Sequence, residues 1–276
     1  MSTNPSDNIA NNTHGKTAGR LEDHRFLTGQ ARFTADMDVE GQLYAIVVRS
    51  NHAHAAILDI DNSSAFEVEG VVGVHTVTDL DKDGIGSMPC PAAGPHLEFC
   101  IVPPRPALAR DRVRHVGDPI ALVIAKTLSS AKLAAEKVLI KYAPLSATVD
   151  IEAALSADTT LVWDQAPGNI AFQFETGNSA SVDAVFSAAE HVIEMQIVNN
   201  RVHAAAMEPR AGIGEYDLKN DTYTLTSTSQ GLHSLREQLA RDVFHINLGR
   251  FRLVAPDVGG GFGLKNALYP EWVLLP

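Results

Sequence analysis

The sequence predicts an α+β fold, and three observations support this class. Short β-rich runs alternate with helical segments, and several gaps between the runs are short enough for hairpins. Hydrophobic residues make up 45% of the 276-residue chain and charged residues 20%, which is enough apolar material for packed cores. A chain of this length holds one large domain or two of ordinary size.

The first half is predicted to be a polar tail followed by an α+β domain. Residues 1–18 are rich in Asn, Ser and Thr, and we expect a disordered tail. Residues 19–150 are expected to form the domain, and 81–106 a long proline-rich loop of the kind that carries a function or lies at an interface. Apolar and β-rich runs predict its strands and helices: strands at 43–49, 71–77, 119–125 and 138–142, an apolar stretch at 55–60, and helices at 65–68 and from Ser129 or Ser130 to Lys137.

The second half is predicted to be a further α+β unit. Residues 151–160 are expected to form a linker with one helical turn, and 161–276 a second domain. Its predicted elements are a helix at 184–189, strands at 191–199 and 251–255, a hairpin of 211–217 with 222–228, and an amphipathic helix at 234–244. Residues 269–275 have the pattern of a buried half-helix, which would lack its neighbours at a chain end. We therefore expect a truncated chain.

Composition excludes several classes of function. The formal net charge of −11 argues against a nucleic-acid partner, because phosphate contacts need clustered Lys and Arg. No run reaches the roughly 18 apolar residues that a membrane helix needs. The N-terminus lacks the pattern of a secretory signal, so a cytoplasmic location is the default expectation. Cys90 and Cys100 are too few for an iron–sulfur cluster or a cysteine-built zinc site, and free thiols are favoured over a disulfide in the cytosol.

A glycine-rich segment follows the last predicted strand: residues 254–265 are Val-Ala-Pro-Asp-Val-Gly-Gly-Gly-Phe-Gly-Leu-Lys. Each of its four glycines would cost about 0.5–1 kcal/mol relative to alanine inside a helix or strand. The segment is either a tight surface turn or a backbone that presses its N–H groups against an oxygen-rich ligand. Phe262 and Lys265 favour the ligand. The spacing matches neither a triphosphate-binding loop nor a dinucleotide fingerprint.

Motifs throughout the chain resemble the xanthine dehydrogenase/aldehyde oxidase family. Its "hammerhead" domain is similar to four segments of the first half: residues 19–29, Val48-Arg-Ser-Asn-His-Ala-His-Ala55, Val113-Arg-His-Val-Gly-Asp-Pro119 and Tyr142-Ala-Pro-Leu145. The start of its molybdenum-cofactor-binding region resembles three segments of the second half: Met207-Glu-Pro-Arg210, Ser227-Thr-Ser-Gln230 and Asp257-Val-Gly-Gly-Gly-Phe-Gly-Leu-Lys265. The resemblance is strongest to the large subunits of bacterial carbon monoxide dehydrogenase-like enzymes, and it covers nearly all of the chain after the tail.

The resemblance implies an oxidoreductase, a molybdenum hydroxylase that inserts water-derived oxygen into an aldehyde, an N-heterocycle or CO. It implies a molybdopterin, which we expect as the cytosine dinucleotide, and partner subunits that carry iron–sulfur clusters and FAD. The remaining C-terminal part of the large subunit is then a further partner. In this chain alone we expect little or no bound metal, because half a cofactor cradle offers too few contacts.

Five residues are cofactor-binding candidates by this resemblance, and none is a direct metal ligand. Gln230 matches the glutamine that hydrogen-bonds the molybdenum oxo group, a role that a neutral amide N–H can fill. Its alternative is an exposed residue between hairpin and helix. Phe262 and Gly263 match the pair nearest the metal, where the ring walls the substrate pocket. Gly260 and Gly261 would allow close approach.

Other polar residues have structural alternatives. Arg210 has the fork geometry to grip a carboxylate or a pterin oxygen, but a buried ion pair with Glu208 or another acid is slightly favoured. His52 and His54 would lie on one face of a strand, yet they lack the further ligands of a zinc site. The resemblance also treats these histidines as structural.

Two differences from the family limit the prediction. Asn266 stands where purine-oxidising members carry a glutamate, which argues against xanthine as the substrate. The family's general-base glutamate lies near the end of the full subunit, so no catalytic residue is expected in this chain. A second hypothesis is therefore a non-catalytic module that docks onto partner subunits without a bound cofactor.

Overall fold

The structure is a computed structural model that describes residues 20–90 and 99–276. The predicted tail at 1–18 and the residues 91–98 of the predicted loop lie outside this part. The first half contains α1 and α2, β1 to β3, and then β4 to β6 with α3 and α4: α1 Asp23–Leu27, β1 Tyr44–Arg49, β2 Ala55–Asp61, β3 Val71–Thr76, α2 Val77–Lys82, β4 Arg112–Val113, β5 Pro119–Ala125, α3 Leu128–Glu136, β6 Leu139–Pro144 and α4 Ile151–Ala154.

Two antiparallel sheets form the first half, in the orders β1-β5-β3 and β4-β2-β6. β5 is almost entirely buried because apolar side chains cover both of its faces. Ala121 and Val123 pack against α3 and its surroundings, while Ile120 belongs to a cluster with Ala55 of β2. Alternate residues of a strand point to opposite faces, so β5 supplies both clusters. A strand was predicted at 119–125, and the structure confirms it.

The second half contains α5, the strands β7 to β9, α6 and α7: α5 Ser179–Ala188, β7 Gly212–Asp217, β8 Thr222–Ser227, α6 Leu232–Glu237, β9 Phe251–Val254 and α7 Pro270–Leu274. β7 and β8 form the predicted hairpin, and β9 joins β8 in parallel. α6 continues directly into a turn of π-helix, Gln238–Val243, so the predicted helix at 234–244 is present with altered hydrogen bonding in its second half.

Some predicted elements were wrong. The expected strand at 191–199 is absent from the described residues, and that stretch is irregular and exposed. The helix expected at 65–68 is a 3₁₀ turn, Ser63–Ala65. Residues 81–82, assigned to the loop, end α2.

Thr127, rather than a serine, caps α3, because its hydroxyl accepts the Ser130 N–H at 3.0 Å. α5 starts earlier than predicted because Asn178 caps it.

The largest core cluster joins the two halves. It packs Met88 and Ala107 of the first half against β8, α6, β9 and α7. Among its fully buried members are Phe251 and Trp272, at 1% and 2% exposure. The structure confirms the α+β class, whereas the division into a domain at 19–150, a linker at 151–160 and a domain at 161–276 stays a prediction. Within the described residues, no helix is both long and apolar enough to cross a membrane.

Candidate functional site

The glycine-rich loop, residues 259–265, lies just after β9 and bends through three residues with left-handed backbone. Gly260 has φ +91°, Phe262 φ +49° and Gly263 φ +81°. Glycine adopts this region without strain, but a non-glycine residue such as Phe262 rarely does. A bend of this kind turns successive N–H groups toward the same side of the chain.

Four consecutive amides of this loop donate to no acceptor within the described residues. They belong to Gly260, Gly261, Phe262 and Gly263. The first two of these residues are half-buried and the last two are exposed. The flanking amides are satisfied, since Gly259 donates to a carboxylate and Leu264 donates to the Gly261 carbonyl at 2.8 Å. The loop therefore has satisfied ends and a centre of free donors, an arrangement that suits an anionic, oxygen-rich ligand.

Gln230 contacts this loop directly. Its backbone N–H donates to the Lys265 carbonyl at 2.9 Å, and its Oε1 accepts the Lys265 N–H at 3.3 Å. A Cβ added to Gly261 would lie 2.2 Å from the Gln230 Cδ, so any larger residue would displace Gln230 from this position. Since the oxygen of the amide faces the protein, its NH₂ group stays available as a neutral donor at the exposed surface.

Phe262 lies differently from the expected pocket wall. Its side chain is 74% exposed, and its ring folds back over Gly260, where an added Cβ would lie 2.6 Å from Cε2. Three cavities in the described part of the chain, of about 560, 640 and 460 Å³, are lined by other residues. Within the described chain, Phe262 therefore covers its own loop and walls none of these cavities.

Glu208 and Lys265 form a buried ion pair, with Lys265 Nζ 2.9 Å from Glu208 Oε2. Their side chains are 7% and 1% exposed, respectively. The expectation that Arg210 pairs with Glu208 was wrong, because the lysine at the end of the loop reaches the carboxylate instead. Lys265 consequently points into the protein, so its charge does not face a ligand at the free amides.

Arg210 lies in a cleft of about 560 Å³ between the two halves. It is exposed, and its guanidinium stacks on the Tyr269 ring, 3.7 Å from the centroid. Among the residues that the structure describes, the buried ion pair favoured for Arg210 is therefore not formed. The same cleft contains Arg49 paired with Glu271 and Arg114 stacked on an aromatic ring, so most of its cations are already engaged.

Asp257 ties the entry of the loop to the first helix, a contact that the sequence analysis missed. Both of its carboxylate oxygens accept hydrogen bonds from Arg25, and Oδ2 also accepts the Arg32 N–H at 2.8 Å. The hydrogen bonds from the Arg25 side chain lower the pKa of Asp257 most, and the one from the Arg32 amide lowers it further. Arg25 and Asp257 each lie in a segment that carries the family resemblance. A single sequence does not show, however, that two residues so distant along the chain form an ion pair.

The histidine pair has the predicted structural role but not the predicted placement. His52 and His54 precede β2 in a turn instead of sharing a strand face. His54 is buried and its Nδ1 lies 2.7 Å from the Ser146 carbonyl, while the His52 ring packs 4.6 Å from Tyr142. Across residues 20–90 and 99–276, no group of three or more His, Cys, Asp or Glu side chains could hold a metal. Cys90 and Cys100 are free thiols.

Two family models match the chain in the order of its two halves. "Aldehyde oxidase and xanthine dehydrogenase, a/b hammerhead domain" matches residues 28–146, and "Molybdopterin cofactor-binding domain" matches 162–276. The fold and the loop thus define the class: a hammerhead domain followed by part of a molybdopterin-binding domain. The chain belongs to the xanthine dehydrogenase/aldehyde oxidase family of molybdenum-binding large subunits.

Named relatives agree with this assignment. The chain is 34% identical to the nicotine 6-hydroxylase large subunit of Paenarthrobacter nicotinovorans, over 97% of this chain and 32% of the relative. It is 31% identical to the carbon monoxide dehydrogenase large chain of Afipia carboxidovorans, over 92% and 32%. The solved quinoline 2-oxidoreductase from Pseudomonas putida 86 superimposes with a TM-score of 0.83 at 30% identity, over 94% and 32%. The chain therefore spans about a third of the length of these proteins.

The residues present fit a molybdopterin-type ligand at the loop. Four amides lack acceptors within the described residues, and the Gln230 NH₂ group lies beside them. A side chain at Gly261 would fill the space that Gln230 occupies, whereas a Cβ at Gly263 meets nothing within 4 Å. A set of neutral N–H donors suits the oxygens of such a group better than it suits a bare metal ion, which needs lone pairs.

Proposed function

We propose that this chain forms the N-terminal third of the large subunit of a molybdenum hydroxylase, which inserts water-derived oxygen into an aldehyde, an N-heterocycle or CO. The observation that carries the proposal is the run of four unsatisfied amides on a left-handed turn, packed against Gln230. When bound, the molybdenum cofactor supplies the oxygen-transfer chemistry. This chain's residues hold and orient that cofactor.

The loop is suited to this role because its donors are fixed before any ligand binds. Backbone N–H groups carry no ionisable proton, so they donate hydrogen bonds to an anionic oxygen without changing its protonation. Preorganised donors stabilise negative charge more effectively than mobile side chains, since no reorganisation is needed on binding. Gln230 adds a fifth neutral donor, held by the bond from the Lys265 N–H to its Oε1.

Two kinds of support bear on the substrate. Relatives are named for nicotine and quinoline, which are N-heterocycles, and for carbon monoxide. Asn266 stands where purine-oxidising members have a glutamate, and its Oδ1 would lie 2.5 Å from a Cβ on Gly231. A neutral amide held against the backbone there does not offer a carboxylate to a purine. We therefore place N-heterocycles other than xanthine first among the three substrate classes.

The proposal includes the partners of a complete enzyme. These are the remaining C-terminal part of the large subunit, subunits that carry iron–sulfur clusters and FAD, and the small-molecule substrate. The pterin is proposed as the cytosine dinucleotide, and the general base would come from the remaining part of the subunit. A cytoplasmic location stays a prediction from the sequence.

The test replaces a loop glycine by asparagine in the full-length large subunit. Gly263 has φ +81° and no atom within 4 Å of an added Cβ, so Gly263→Asn keeps a tolerated left-handed conformation while adding a side chain at one of the four residues with free amides. We expect the molybdenum content, measured by mass spectrometry, to fall about tenfold or more. A tenfold loss corresponds to about 1.4 kcal/mol of binding free energy, the order expected when close contacts between the loop amides and the cofactor are lost. The melting temperature of this chain alone, without the cofactor, should stay close to that of the wild type.

Gly84→Asn is the matched control. Gly84 has φ +70° and equally open surroundings, but it lies in the first half, away from the loop. This variant should retain full molybdenum content. A Gly263→Asn subunit that bound as much molybdenum and pterin as the wild type would contradict the proposed contact.

A second candidate function is a docking module without cofactor, and one observation is consistent with it. Apolar side chains between α5 and β7 are strongly exposed, among them Ile193, Met195 and Ile197 at 88%, 74% and 79%. Exposed apolar segments of this size mark interaction surfaces. This surface is compatible with both functions, because a large subunit also has to bury it against its own remaining part.

A further inference from the structure

One carboxylate oxygen joins the two ends of the glycine-rich loop. Glu208 Oε2 accepts the N–H of Gly259, the first residue of the loop, at 2.6 Å. The same oxygen accepts from Nζ of Lys265, the last residue of the loop, at 2.9 Å. The four free amides lie between these two attachment points, so a single side chain closes the base of the turn that presents them.

The closure is tight on the Gly259 side. The Glu208 N–H also donates to the Gly259 carbonyl, at 3.4 Å, so backbone and side chain of Glu208 both contact this residue. A Cβ added to Gly259 would lie 2.6 Å from the Glu208 Cβ. The start of the loop therefore has one position relative to Glu208, and a displacement would break two hydrogen bonds together.

Fold stability alone does not account for a buried charged pair here. A well-packed apolar pair is often as stable as a buried ion pair, because both ions lose their hydration. The Glu208 Oε1 atom is buried and has no partner within the described residues, which adds to the unfavourable free energy of burying this carboxylate. What an apolar pair would not provide is an acceptor for the Gly259 N–H.

We propose that Glu208 and Lys265 are positioning residues, which hold the glycine-rich loop in its amide-presenting conformation before a ligand binds. Lys265 pairs with the carboxylate and keeps it in place, and the carboxylate holds Gly259. Because the two charges compensate each other, a ligand at the loop faces only N–H donors. The inference that this conformation serves cofactor binding rests on the proposed function. The inference that Glu208 and Lys265 keep the loop ordered does not.

Hydrogen exchange at the Gly259 amide tests the positioning role in this chain without cofactor. Lys265→Met leaves the carboxylate unpaired, and Glu208→Gln leaves the lysine unpaired, so each should raise the exchange rate about tenfold or more. In the double variant Glu208→Gln/Lys265→Met, neither charge remains and the Gln amide oxygen still accepts the Gly259 N–H. Its exchange should return to within about threefold of the wild type.

A second double variant separates positioning from charge compensation. Glu208→Ala/Lys265→Met is also neutral at this site but has no acceptor for Gly259, and it should keep the fast exchange of the single variants. Equal exchange in the two double variants, or slow exchange in both single variants, would overturn the proposal. Glu237→Gln and Arg241→Met remove an exposed ion pair and should change nothing.

The molybdenum content of the full-length subunit distinguishes this inference from the proposed function. The Gln/Met double variant should retain the metal, with an unchanged electron paramagnetic resonance spectrum, and the Ala/Met variant should lose most of it. Full molybdenum content in Ala/Met, despite fast exchange at Gly259, would refute the cofactor contact but leave the positioning role intact. Unchanged exchange would refute the positioning role whatever the metal content.

Discussion

At the scale of single residues, Asp257 shows how a carboxylate far from its partner in sequence orients the loop. It receives two hydrogen bonds from Arg25 and one from the Arg32 N–H. The entry of the loop also forms an isolated parallel bridge between Asp257 and Phe33. The segment before α7 is therefore held by Arg25 of α1 and by the segment that follows α1.

This contact predicts a specific dependence of stability on pH. The pKa of Asp257 in the folded chain lies below its ordinary value of 3.8, chiefly because of Arg25. A lowered folded pKa adds stability that is complete above the ordinary value and is lost as the pH falls below it. The urea midpoint of the wild type should therefore exceed that of Asp257→Asn at pH 5 to 7, and the difference should shrink below about pH 4.

Arg25→Gln provides the check on the cause. If Arg25 is the main reason for the lowered pKa, this variant should show the same smaller pH dependence as Asp257→Asn. The double variant should then differ little from either single variant. A midpoint difference that stays constant from pH 7 to pH 3 would rule out the contribution of this carboxylate.

At the scale of elements, the stretch between α5 and β7 departs most from the sequence prediction. Ile193, Met195 and Ile197 alternate with Glu194 and Gln196, which is the period of a strand. The structure places no strand there within the described residues, and the apolar side chains are exposed. A strand needs a neighbouring strand for its hydrogen bonds, and periodicity within one segment does not show whether that neighbour is present.

The exposed apolar side chains at these alternate positions predict that the chain binds a hydrophobic dye. Replacing Ile193, Met195 and Ile197 by Thr keeps strand propensity but removes three strongly exposed apolar side chains from this stretch. The fluorescence of bound anilinonaphthalene sulfonate should fall in proportion to the apolar surface removed. Self-association measured by light scattering should fall with it.

The control uses the positions in between. Glu194→Thr with Gln196→Thr changes the same segment and should not reduce dye binding. Should both sets of variants bind as much dye as the wild type, the exposed surface would have to lie elsewhere in the chain.

Local patterns explain which elements could be predicted from the sequence. β5 and the β7–β8 hairpin were predictable because β-rich apolar runs and the turn at Leu218-Lys-Asn-Asp221 specify them locally. Gln230 was selected as a candidate through the family resemblance and not through a local pattern. The partner of Glu208 was not predictable, since several cations could reach a buried carboxylate and only the three-dimensional path of the loop selects Lys265. The 3₁₀ and π turns depend on packing in the same way.

At the scale of the whole molecule, the two halves share one core. Met88 of the first half is 4% exposed and packs in the cluster that contains Trp272 and Phe251 of the second. The Gly86 N–H donates to the Val243 carbonyl at 2.7 Å, and ion pairs such as that of Arg49 with Glu271 cross the same boundary. Because the boundary is apolar at its centre, the halves should not behave as independent domains joined by a linker.

A nicked chain tests this directly. A protease site introduced at residues 156–158, which are exposed, would allow the connection to be cut without disturbing the core. The two fragments should elute together in size-exclusion chromatography, because burial of shared apolar surface at about 25 cal/mol per Å² outweighs the loss of the covalent connection.

Met88→Asp places a charge in the shared core and should separate the fragments, whereas Met207→Asp changes a side chain that is 96% exposed and should leave them together. If the nicked wild-type fragments eluted separately, the shared core would contribute too little to hold the halves, and the loop would lose the support that Arg25 and Phe33 provide from the first half.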